Sequence, residues 1–169
     1  MESTVKLHSL KVIDIKSYSF AALFVAGNIL LPQLCHLVPF GGQILLPIYF
    51  FTLIAAYKYG FTTGLLTAVA SPLINHALFG MPVTEMLPII LIKSVLLASA
   101  AAYVAQRTQQ IKLQNLLVVI LFYQGIGMMA EFALTGSFVA AMQDIRLGFA
   151  GMLLQLIGGF FCLKAISKW

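Results

Sequence analysis

The chain has 169 residues, of which 61% are apolar and only 9% charged, with a formal net charge of +5 at pH 7. Such a composition excludes a soluble globular domain and points to repeated membrane crossings, because roughly 20 apolar residues in a helix span about 30 Å of hydrocarbon. The ten basic residues form no compact patch interleaved with aromatic side chains, so the positive charge does not indicate nucleic-acid binding.

Taken in chain order, residues 1–16 mix Glu2, Lys6, Lys11, Asp14 and Lys16 with apolar positions, the pattern of a short interfacial helix. No small-residue cleavage site follows a short apolar stretch there, so a cleavable secretory signal is not expected. Six apolar runs come next, at about 17–38, 43–57, 61–79, 86–103, 116–135 and 147–166. The second is short, and several contain Pro or polar residues. The gaps leave no room for a soluble domain, and the expected fold is an all-α integral membrane protein with six transmembrane helices in a single domain, 1–169.

An even number of crossings puts both termini on one side, and the charges agree. Lys6, Lys11 and Lys16 precede the first run, Lys58 falls between the second and third, Arg107 and Lys112 between the fourth and fifth, and Lys164 and Lys168 close the chain. The opposite gaps hold only Glu85, Asp144 and Arg146. By the positive-inside rule both termini are cytoplasmic. Cys35 and Cys162 then differ in depth by about 20 Å, too far for a disulfide.

Ionisable and amide groups in hydrocarbon are costly and are expected to face the bundle interior, pair, or line a cavity. Entering from outside near Met86, the fourth run places Lys93 about 10 Å down; the fifth, leaving near Thr135, places Glu131 about 6 Å down. Gln124 precedes Glu131 by seven residues and shares its face, and Gln155 of the sixth run lies about 12 Å deep, on a face continued by Gly148, Gly151, Gly158 and Gly159. Two readings follow. Lys93 and Glu131 either lock two helices together, with the amides as interhelical hydrogen bonds, or the set forms a solute pocket open to the outside, with Tyr123 and Met128 covering the apolar part of a ligand.

A second polar group gathers near the outer ends of the first and third runs: Asn28, Gln33, His36, Asn75 and His76. Pro32, Pro39 and the pair Gly41-Gly42 make the first connection an irregular loop able to cover a pocket. Cys35 and His36 have no further ligands spaced for a closed metal site, and no metal or cofactor is expected. A phosphate-binding loop of the Walker type is absent, as are HExxH and GxSxG, so no enzymatic activity is expected.

The run Ala22-Leu23-Phe24-Val25-Ala26, followed by Asn28, a proline-bearing first loop, a Gly-Gly pair and Lys58-Tyr59-Gly60 leading to Gly64, resembles the substrate-binding S component of energy-coupling factor (ECF) transporters. These are small six-span vitamin-uptake proteins of prokaryotic cell (inner) membranes, and the resemblance in length, span count and loop layout covers nearly the whole chain. It implies a vitamin-like solute taken from outside, a coupling transmembrane subunit and two cytoplasmic ATPase subunits as partners. Ala22 and Ala26 would then be the face that docks on the coupling subunit. The pocket candidates remain those placed by depth and loop position: Lys93, Glu131, Gln124, Gln155, Tyr123, His36, Gln43, Asn75 and His76. The main rival is an MreD-like membrane scaffold, similar in length and layout but binding no solute; span three here has no acidic residue after its Gly.

Overall fold

A computed structural model describes residues 14–167 of the chain; the basic residues Lys6, Lys11 and Lys168, and most of the expected interfacial segment, lie outside the described residues. Those described are helical throughout, with no strand. Helix α1 (Ile15–Cys35) is followed by a short α2 (Gly41–Leu45), a 3-10 turn (Pro47–Tyr49), α3 (Phe50–Tyr59) and α4 (Phe61–Phe79). Next come α5 (Leu87–Thr108) and α6 (Leu113–Thr135), two short helices, α7 (Phe138–Ala141) and α8 (Gln143–Arg146), then α9 (Phe149–Leu153) and α10 (Gly159–Ile166). The last two are continuous through Leu154–Gly158, where hydrogen bonding widens to the π pattern.

Four helices are long and apolar enough to cross a membrane: α1, α5, α6 and the continuous Phe149–Ile166. Burial supports membrane character. Large apolar side chains such as Leu23, Leu121, Met129 and Phe161 point outward, while Asn28, Thr52, Ser71, Lys93, Gln124 and Gln155 are buried, an arrangement suited to an apolar solvent.

The second apolar run, expected as one helix, is broken instead. Leu46 has φ 47° between α2 and the 3-10 turn, and Pro47 has no N–H to continue the ladder. Between α3 and α4 stands Gly60, with φ 93°, a conformation costly for a side-chain-bearing residue. Lys58, expected in that connection, is on the last turn of α3 and wholly buried. Gly64 allows α4 to lie directly against Ala56 of α3.

Within α1, Pro32 supplies no donor to the carbonyl of Asn28 four residues earlier. Asn75 Nδ2 of α4 donates to that oxygen at 2.9 Å. Asn28 in turn donates to Thr52 Oγ1 at 3.0 Å and Ser71 Oγ at 3.1 Å, and its Oδ1 accepts from the Phe51 N–H. These bonds pin α1, α3 and α4 together inside the bundle. The cytoplasm-proximal half of α5, in the expected orientation, is rich in buried alanine (Ala98, Ala100, Ala101, Ala102, Ala105). Such small residues let neighbouring helices approach closely.

Phe149–Ile166 runs alongside α2 and α3 in the same direction. A Cβ added at Gly151 would strike the Leu45 backbone, one at Gly148 would meet Leu46, and those at Gly158 and Gly159 would meet Phe50 and Leu53. The glycine face expected around Gln155 is therefore a packing face.

Alternate connections gather at opposite ends. At one end Phe20 stacks on Tyr59 with ring centres 4.1 Å apart, Tyr57 donates to the Gln110 carbonyl at 2.6 Å, and Asn115 reaches Thr108 Oγ1 at 3.0 Å. Connections 36–40, 80–86 and 136–148 meet at the other, around a cavity.

Candidate functional site

Lys93 sits on the second turn of α5 and is 2% exposed. Its stem crosses α6 at Gly127, where a Cβ would stand 2.6 Å from Lys93 Cγ; the missing side chain is what gives the lysine passage. Nζ donates to Glu131 Oε2 at 2.5 Å and to Asp144 Oδ2 at 2.9 Å. The pair placed by helix depth therefore forms, but with a third member from α8. Burial makes each of these charges dependent on the others, since the attraction has to offset the loss of hydration.

Above this triad opens a cavity of about 480 Å³, within the range of small-molecule sites. Its charged wall is Lys93, Glu131 and Asp144. The cover is the first connection, from His36 through Gln43, and Leu46, Pro47 and Tyr49 continue that wall. Met81, Pro82, Val83 and Met86 close it from the α4–α5 side, with Ile89 and Ile90 below them on α5. The cover has a defined shape: Phe40 and Leu46, with φ 59° and 47°, flank α2. His36 is packed beside Gly42, whose Cβ would lie 2.6 Å from His36 Nε2.

Five sequence-predicted positions line this cavity: His36, Gln43, Asn75, Lys93 and Glu131. Asn75 does so with an unusual constraint. Its Nδ2 donates to the carbonyls of Asn28 and Ser71, both at 2.9 Å, so Oδ1 is fixed as an acceptor, and that buried atom has no partner.

The other four stand apart from the cavity wall. Gln124 Nε2 donates to Tyr123 Oη at 3.0 Å, and Tyr123 Oη donates to Gln155 Oε1 at 2.9 Å, a buried chain between α6 and the π turn. Tyr49 joins chain and cavity, since it lines the cavity and packs on Tyr123 with ring centres 5.5 Å apart. His76 Nδ1 donates to the Pro82 carbonyl at 2.7 Å and so braces the α4–α5 connection. Met128 is not on the wall either.

Asp144, Tyr49 and Gln143 line the cavity without having been predicted. Asp144 had a readable signal: it is one of three charged residues in otherwise uncharged outer gaps. Ala22 and Ala26 are both exposed on α1, with Leu23 and Leu30 beside them. Cys35 and Cys162 are free thiols. Among the described residues no group of three or more His, Cys, Asp or Glu is gathered as for a metal ion.

Fold and site together define an all-helical bundle with four membrane-length apolar helices and, at one end, a mostly apolar cavity that carries a charged cluster. No protein-family model, curated protein or solved structure matches the chain.

Proposed function

We propose that this chain is the substrate-binding S component of an ECF-type importer in a prokaryotic cell (inner) membrane. It crosses the membrane six times, with α2, the 3-10 turn and α3 together forming the second crossing, α4 the third, and both termini in the cytoplasm. The cavity faces outside and receives a small water-soluble vitamin or vitamin precursor. A coupling transmembrane subunit docks on the Ala22 and Ala26 face of α1, and two cytoplasmic ATPase subunits drive uptake. The chain itself carries no catalysis.

The observation that carries the solute-binding part is the cavity, with Lys93, Glu131 and Asp144 on its wall. A scaffold of the MreD type gives such a cavity no task. The transport assignment rests on the resemblance in sequence and layout, which supplies the partners.

Native mass spectrometry of the full chain, released from detergent, tests the reading. A retained small molecule is expected, or a vitamin or precursor that raises thermal stability; at 100 times its dissociation constant a ligand stabilises by about 2.7 kcal/mol. No retained molecule and no stabilising compound across the vitamin panel would overturn it.

A further inference from the structure

We infer that the solute of this cavity carries a positive charge, as a protonated nitrogen on a flat or apolar body. The inference rests on the solute-pocket reading above and adds the ligand's chemical class.

The charges on the wall do not cancel. Lys93 Nζ is already bonded to one oxygen of Glu131 and one of Asp144, which leaves a surplus of one negative charge when all three are ionised. Among the described residues no second cation pairs with either carboxylate. Glu131 is buried and Asp144 partly so, and an uncompensated charge against an apolar bundle is costly, a cost that a bound cation reduces.

At the charged wall the free hydrogen-bonding capacity has the same sign, while His36, Gln43 and Gln143 elsewhere on the lining can donate or accept. Among the described residues neither Glu131 Oε1 nor Asp144 Oδ1 accepts a hydrogen bond. Both need donors, which the N–H groups of a protonated nitrogen supply. A carboxylate or phosphate solute would instead meet two carboxylates beside a lysine that is already engaged. Tyr49, Met86 and Ile89 provide aromatic and apolar wall for the rest of the molecule, and a tyrosine ring face favours a nearby cation.

Three probes of similar shape separate charge from fit: benzylammonium, benzyl alcohol and benzoate, titrated against the full chain in phosphatidylcholine nanodiscs and followed by ligand-observed NMR. Benzylammonium is expected to bind at least about ten-fold more tightly than benzoate, the scale of a charge-assisted contact. Asp144→Asn should remove most of that preference while leaving benzyl alcohol within about two-fold, and Asp144→Glu should retain it. The wild-type ranking requires no variant to fold. Benzoate binding as tightly as benzylammonium, or a preference untouched by Asp144→Asn, would overturn the charge assignment and leave the pocket standing. Failure of all three probes to bind would remove the pocket and the charge assignment together.

Discussion

A single missing side chain, at Gly127, lets the Lys93 stem cross α6 and bring its ammonium to two carboxylates. Removing the cation leaves those carboxylates buried beside each other, so Lys93→Met is expected to cost about 3–5 kcal/mol of stability, the scale of breaking a buried ion pair. Neutralising the remainder, in Lys93→Met with Glu131→Leu and Asp144→Asn, should recover most of the loss. Unfolding in detergent measures both; a single Lys93→Met variant as stable as the parent would show that the triad is not held by charge. The Lys93–Glu131 contact was legible because helical rise converts sequence position into depth. Asp144 stood out as a charge in an outer gap, but its approach to Lys93 was not legible, because it depends on how two short helices fold back from the end of α6. Buried amides were legible as buried, yet the rotation that turns Gln124 and Gln155 toward Tyr123 depends on neighbouring helices. The Asn28–Asn75 contact had a local cause in the chain, since Pro32 leaves a carbonyl without its helical donor.

At the level of elements, hydropathy located the long helices, and α4 spans the same residues as the third apolar run, Phe61–Phe79. Hydropathy alone does not register the break in the second run, because it is blind to Pro47, which follows the left-handed Leu46 and has no N–H to continue the ladder. Helix α1 makes a different claim. Asn28 and Phe24 face the bundle while Ala22 and Ala26, four residues apart, stay exposed on another side, where a partner helix can approach closely. The double variant Ala22→Leu, Ala26→Leu is expected to bind solute normally, to fail to accumulate it in cells and to fail to co-purify with an ATPase module. Uptake equal to the parent would remove α1 as the docking element.

For the whole molecule, alternate connections gather at opposite ends of the bundle and four helices are of membrane length; six crossings with both termini inside are the proposed arrangement. Lys58 is a poorer topology marker than its sequence position suggested, because it is buried. Arg107 and Lys112 are exposed, and the proposed orientation rests on them more than on Lys58. In a background with Cys35 and Cys162 replaced by Ala, an impermeant thiol reagent added to intact cells should label Thr84→Cys and miss Thr108→Cys, both exposed positions. The reverse pattern would place the cavity mouth in the cytoplasm and end the uptake reading.

The alanine-rich half of α5 makes the two ends of the bundle mechanically unequal. Between Ala98 and Ala105 five alanines are buried against neighbouring helices, whereas Ile89, Ile90 and Lys93 of the same helix border the cavity. Amide deuterium exchange should therefore be slowest around the alanines and faster toward Leu87, because opening is easiest where few packed contacts must separate. A solute in the cavity would slow exchange in the hollow end alone, so its arrival would be written as a gradient along one helix.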